Sequence, residues 1–139
     1  MIEFTIPGVP VAKGRARTGK NNIHYTPTKT KEYESLIKVS AYNAMHQREV
    51  MIYPIRLDIL LCMPIPAPWS KKKKHLAATK QLLPTTKPDC DNVLKAIADG
   101  MNKIVYEDDK QIVSISLLKV YDSKPRSVVR VQEYVYSDF

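Results

Sequence analysis

The chain has 139 residues, 44% of them apolar, with a formal net charge of +8 and a pI near 9.5. That length can bury a core within one domain. No apolar run reaches the ~18 residues of a membrane span, and the charge points to a polyanionic partner, nucleic acid first. Met1 through Pro7 lack the charged region and long apolar run of a secretory signal, so a soluble, cytoplasmic protein with no membrane association is expected. The two cysteines, Cys62 and Cys90, fit a reducing compartment. Neither stands at ligand spacing from the other or from His24, His46 or His75, so zinc is not expected.

Ile2, Phe4 and Ile6 alternate with Glu3 and Thr5, which predicts a strand over 2–6, broken by Pro7, Gly8 and Pro10. Lys13 to Lys20 is a basic loop containing two glycines. Gly14, Gly19 and Lys20 have phosphate-loop spacing, but Asn21 stands where a hydroxyl is required and no apolar helix follows directly. A loop that grips DNA phosphates as point charges through Lys13, Arg15, Arg17 and Lys20 is expected instead. Thr26-Pro27 resembles a helix start, and Tyr33, Leu36, Ile37, Ser40, Ala41, Ala44 and Met45 recur at helical spacing, predicting an amphipathic helix to about His46. Ile55, Leu57, Ile59, Leu61 and Met63 alternate as a second strand, ended by Pro64, Pro66 and Pro68.

Lys71, Lys72, Lys73 and Lys74 open a short basic stretch to Lys80 that can form a helix. Such a run is as readily a solvated face as a DNA grip. The Pro84–Pro88 segment, with Lys87, leads into an acidic stretch and could close over a bound backbone. Beyond that stretch, Glu107 to Lys110 reads as a turn. Residues 111–121 and 127–135 alternate as two strands, with 122–126 as a hairpin loop between them. The order β-α-β-α-α-β-β predicts one small α+β domain, residues 1–139, with about four strands in a mostly antiparallel sheet and two to three helices.

Six of the fourteen acidic residues (Asp89, Asp91, Asp99, Glu107, Asp108, Asp109) lie in one stretch of this basic chain, which follows two acid-free basic segments, one after Glu3 and one after Asp58. A helix beginning near Asp91 puts Val93, Leu94, Ile97, Met101 and Ile104 on a core side and Asp91, Lys95, Asp99 and Asn102 on the other. Lys95 could bridge both aspartates as i, i+4 pairs, which needs no metal. That leaves Asp89, Asp108 and Asp109 without a role. Side chains at i and i+2 can share a side in an extended or capping conformation, and Asp108 or Asp109 can approach if the helix packs back on the sheet. Crowded carboxylates repel, and a divalent cation relieves them. Mg²⁺ suits one or two carboxylates, waters and substrate phosphate. A metal beside basic segments points to phosphodiester hydrolysis. Lys95 could then orient water or neutralise developing charge, or simply pair with Asp91. An EF-hand starting at Asp89 fails, because Leu94 and Gly100 occupy its glycine and glutamate positions.

Lys87-Pro-Asp89-Cys-Asp91-Asn92-Val-Leu-Lys95-Ala96, Asp99-Gly100 and Asp108-Asp109 before a strand together resemble the RusA family of Holliday-junction resolvases of prophages and phages. The basic Gly-Arg-Ala-Arg loop and the Pro-x-Pro plus Ser-Lys-Lys-Lys segment extend the resemblance over nearly the whole chain. Ala16 departs from it, since many relatives carry proline between the two arginines. The resemblance implies a homodimeric, Mg²⁺-dependent endonuclease, with Mn²⁺ as a substitute and no small-molecule cofactor. It would cut a four-way DNA junction by paired symmetric nicks. It also implies catalytic roles for Asp89, Asp91, Asp109 and Lys95, with the three aspartates as metal ligands and Asp108 as the alternative to its neighbour. A twofold dimer matches the approximate twofold symmetry of the junction. A less selective metal nuclease on branched or flap DNA and a non-catalytic basic DNA-binding module are the competing readings.

Overall fold

A computed structural model describes residues 1–13, 17–18, 24–25 and 28–138. Its elements in chain order are β1 (Ile2–Pro7), β2 (Arg17–Thr18), β3 (His24–Tyr25), α1 (Thr28–Met45), β4 (Ile55–Pro64), α2 (Lys71–Ala78), α3 (Cys90–Gly100), β5 (Ile112–Asp122) and β6 (Arg126–Glu133). β2 falls in the stretch read as a basic loop and pairs with β3 just beyond it, a short ladder that the sequence did not suggest. Arg15, Lys20 and the helix start at Thr26-Pro27 lie outside the described residues.

Four strands form one mixed sheet in the order β1-β6-β4-β5. β6 runs antiparallel to β1 and β4, and β4 runs parallel to β5. Alternation sends Ile2, Phe4, Ile6, Leu57, Ile59, Leu61, Val129 and Val131 to one face. There they pack against Tyr33, Ile37, Ala41, Val93, Ile97 and Met101 of the helical layer. Buried inside that layer, the Tyr33 hydroxyl meets the Ser127 hydroxyl at 2.7 Å, tying α1 to β6. Burial pushes the Tyr33 phenol up to about 12, so it stays a neutral hydrogen-bonding group.

The expected α+β class and element order are observed, with three helices. The hairpin between the last two strands is not. β4 lies between β5 and β6, and the two never pair. The reason is geometric. β4 ends at Pro64, level with Asp122 of β5, so the 123–125 link passes over the finished end of β4. It crosses two strand spacings, roughly 10 Å, and four residue steps reach about 13 Å. Parallel pairing of β4 with β5 in turn requires a long crossover, which α2 and α3 supply.

A smaller cluster of Met63, Ala77 and Tyr121, with Trp69 and Leu82 against it, anchors the basic helix α2 to the far end of β5. Ser70 caps α2 by accepting from the Lys73 amide at 3.2 Å.

α3 packs tightly against α1 at Gly100. A Cβ built there would lie 2.5 Å from the Ile37 Cγ2. Ile37 is fully buried and, being β-branched, has little rotamer freedom to yield. Gly100→Ala is therefore expected to destabilise the fold by about 1–3 kcal/mol through overpacking, despite alanine's better helix propensity. Urea unfolding should show a lower midpoint with an unchanged m-value.

Candidate active site

Two devices bring the acidic residues together. The first is α3 itself. Asp89 is its N-cap and makes no side-chain capping bond, and Asp91 lies in the first turn, where the helix dipole favours a negative charge. Val93, Ala96 and Ile97 turn into the core and leave Asp91, Lys95 and Asp99 outward. The second device is the reversal after α3. Lys103 takes a left-handed φ of 68°, and its amide donates to the Tyr106 carbonyl at 2.8 Å. The fully buried Tyr106 returns its hydroxyl to the Ala98 carbonyl at 2.7 Å. Asp109 therefore arrives beside α3.

Asp91, Leu94, Lys95, Ala98, Asp109, Ile112 and Ile115 line one cleft of about 230 Å³. The cleft thus brings together Asp91, Lys95 and Asp109 of the residues singled out in the sequence. Asp89 stands exposed at the helix cap, two residues before Asp91, and does not line it. A groove of about 640 Å³ between the end of β1, α1 and Lys87-Pro88 is larger, but its walls are mostly aliphatic and it holds no pair of carboxylates.

Asp108 and Asp109 are adjacent yet differently engaged. Asp108 accepts the Lys110 amide at 2.9 Å, and its own amide donates to the Gln111 side chain at 3.0 Å, so it caps the 109–111 turn. That amide bond holds the Asp108 carboxyl below its ordinary range. Asp109 points into the cleft. Burial raises its carboxyl above the ordinary range, and the Asp108 and Asp99 carboxyls beside it push the same way. A dicarboxylate cleft whose inner acid resists ionisation favours a cation.

Mg²⁺ characteristically uses one or two carboxylates and fills its remaining positions with water and phosphate. Asp91 and Asp109 provide such a pair, and the cleft has room for several waters. Among the described residues, no three His, Cys, Asp or Glu side chains gather closely enough to cage a metal. The donor set fits a largely hydrated cation and not a closed protein cage.

Lys95 pairs loosely with Asp99, at 4.0 Å, and makes no ion pair with Asp91. Lys13, expected to grip DNA, puts its ammonium 2.5 Å from the same Asp99 oxygen. Of the lysine run, Lys73 lies 4.1 Å above the Trp69 ring, while Lys71 and Lys72 are exposed. Lys87 is also exposed.

Three supporting residues were missed from the sequence. Lys119 of β5 donates to the Thr86 and Pro88 carbonyls at 2.6 and 2.9 Å, holding the segment that delivers Asp89. Gln111 donates to the Met51 and Tyr53 carbonyls and fixes the turn that carries Asp109. Tyr106 makes the clamp to Ala98. Only Gln111 had a legible signal, the Asp-x-x-Gln spacing of a capping box. The bonds of Lys119 and Tyr106 join residues distant in the chain or across a turn.

Comparison with known proteins matches the chain to a family. The family model "Endodeoxyribonuclease RusA" matches residues 7–132. The "Uncharacterized protein YqaN" of Bacillus subtilis (strain 168) is 38% identical over 138 residues, covering 95% of this chain and 96% of its own. The "Crossover junction endodeoxyribonuclease rusA" of Lactococcus phage r1t is 42% identical over 50 residues, 35% of this chain and 38% of its own. With its acidic cleft set against a basic chain, and a family match that runs from the end of β1 into β6, this protein belongs to the RusA endodeoxyribonuclease family.

Proposed function

We propose that this chain is a Mg²⁺-dependent, structure-specific endodeoxyribonuclease that resolves four-way DNA junctions by paired nicks, acting in the cytoplasm as a homodimer. The observation that carries the reading is that Asp91, Lys95 and Asp109 line one cleft in a chain of this family. The phage relative, a crossover junction endodeoxyribonuclease, supports the substrate class.

In this reading Asp91 and Asp109 hold the cation. Asp89, whose carboxylate makes no capping bond, adds an outer ligand or orients a bound water. Mn²⁺ can replace Mg²⁺. The cation, when bound, supplies Lewis acidity at the phosphate and lowers the pKa of its water. The protein's own residues do the rest. Lys95, two-thirds exposed and only loosely paired, can turn toward the scissile phosphate and stabilise its developing negative charge. Leu94, Ile112 and Ile115 wall the cleft with hydrocarbon and limit bulk water.

α2, which carries Lys71, Lys72 and Lys74, packs through Ala77 at Tyr121, about 20 Å along β5 from Ile115. There its lysines can hold flanking phosphates while the cleft acts on one. Lys87 and the basic residues 15–20 extend this grip. β5 is an edge of the four-stranded sheet beside the cleft, with Val113, Ile115 and Leu118 exposed. An apolar unpaired edge suits a second copy, and a twofold pair presents two cleavage sites to a junction.

The test incubates the purified protein with a mobile four-way junction, a linear duplex and a flap, each in Mg²⁺ or Ca²⁺. Paired nicks in the junction alone, in Mg²⁺ and not Ca²⁺, are expected. Equal cutting of the duplex would indicate a broad nuclease. Salt-sensitive binding without cutting would indicate a binding module in which the acids only pair with lysines.

Asp91→Asn should retain junction affinity, read by mobility shift in Ca²⁺, and lose cleavage. Full activity in that variant removes Asp91 from the mechanism. Lys95→Ala should slow cleavage of bound junction by about 10²-fold, measured under single-turnover conditions. An unchanged rate would reduce Lys95 to a partner of Asp99.

A further inference from the structure

Lys13 lies where the sequence predicts a phosphate-gripping residue, yet two contacts commit it elsewhere. Its ammonium is 2.5 Å from the Asp99 Oδ2, and its amide donates to the Asn92 carbonyl on α3 at 3.0 Å. The segment after β1 is thereby docked along the outer side of α3. Asp99 is the half-buried carboxylate between Lys95, one helical turn before it, and Asp109, whose carboxyl lies within its reach. Among the described residues, Lys13 and Lys95 are the cations within 4.0 Å of Asp99, and both address the same oxygen. The two distances differ in a telling way: Lys13 is in close contact, and Lys95 is at the limit of an ion pair.

We infer that Lys13 and Asp99 form a positioning pair, in which Lys13 occupies Asp99 so that Lys95 stays free to serve the cleft; this rests on the nuclease reading above. Two cations compete for one oxygen. The long, flexible lysine side chain of Lys95 takes whichever anion is nearest and least satisfied. While Lys13 is present, Asp99 is largely neutralised and Lys95 can swing toward a bound phosphate. Without Lys13, the unneutralised Asp99 draws Lys95 down the helix in a full i, i+4 pair, away from the phosphate. Lys13 and Asp99 touch no reacting atom in this account. They act through where Lys95 points.

The experiment compares the wild-type chain with Lys13→Met, Lys13→Arg and the double variant Lys13→Met/Asp99→Asn. Single-turnover cleavage at saturating four-way junction should fall about ten-fold in Lys13→Met. It should hold in Lys13→Arg, which can still occupy Asp99, and largely recover in the double variant, where the Asp99 carboxylate that captures Lys95 is gone. The slope of log affinity against log salt should not change. A readout independent of cleavage is the acetylation rate of Lys95 in the folded protein, followed by mass spectrometry. It should drop several-fold in Lys13→Met and return in the double variant.

A Lys13→Met protein with normal turnover and a salt slope shallower by about 0.9 would make Lys13 a phosphate contact and overturn the inference. So would a double variant as slow as the single one. If the wild-type chain cuts no branched DNA, the nuclease reading fails. The acetylation rates then still decide the pair: equal Lys95 reactivity in all four proteins would refute it.

Discussion

The site depends on the reversal that brings the chain back onto α3. Asp91 and Asp109 are eighteen positions apart, and nothing local holds them together. Tyr106 does so. Its ring is fully buried, and its hydroxyl reaches the Ala98 carbonyl, about one turn beyond Lys95 and two beyond Asp91 on the helix. A buried phenol without that acceptor would carry the desolvation penalty of an unmade hydrogen bond, so ring burial and hydrogen bond favour the same arrangement. The Met51 amide donating to the Val105 carbonyl at 2.8 Å, and the Gln111 amide donating to two carbonyls of the 51–53 segment, pin the reversal from its other side. The acidic cleft is thus a product of core packing and stands on rigid elements.

Charge is divided by the same geometry. The chain carries twenty-two basic side chains, but those nearest the cleft are not simply an external grip. Lys13 and Lys95 converge on Asp99, and Lys119 spends its ammonium on backbone carbonyls before Asp89. Lys80 likewise bonds the Tyr121 carbonyl and pairs with Asp122 at 3.6 Å. Other lysines keep their heads in solvent, Lys71 and Lys72 at the start of α2 among them. Internal cations arrange the site, and external ones remain for a polyanion. A net charge alone cannot make that division, because it counts both kinds equally.

Much of this was legible in the sequence, for stated physical reasons. The recurrence of apolar residues at every second position in 2–6 and 55–63, and helical spacing in 33–45, are local periodicities that burial imposes, so those elements were found close to their observed ends. The acid cluster was visible as an anomaly in a basic chain. Strand order was not visible. The 122–126 link has the length of a hairpin loop, and only the termination of β4 at Pro64 lets it step over a strand. The continuous apolar stretch from Ile59 to Met63 did hint that β4 is central, since a strand buried on both faces loses its polar alternation. The partner of Lys95 was half legible. The i, i+4 rule offers Asp91 and Asp99 alike, and the choice of Asp99 rests on the tertiary surroundings of that helix face.

Six carboxylates near the cleft and the far end of β5 can be sorted by what already occupies their oxygens. Asp122 accepts the Lys124 amide at 3.0 Å and pairs with Arg126 at 3.2 Å; those contacts hold its carboxyl below the ordinary range. Asp108 is spent on the Lys110 amide, and Asp99 is held by Lys13. Each of these already has donors from the protein, and displacing them for a cation would leave amide or ammonium groups unpaired. Among the described residues Asp91 and Asp109 make no ion pair, Asp89 makes no capping bond, and the Asp99 and Asp108 carboxyls lie beside Asp109. In the proposed reading a cation takes lone pairs that no amide or ammonium claims, which favours Asp89, Asp91 and Asp109, the three positions that the family resemblance implies.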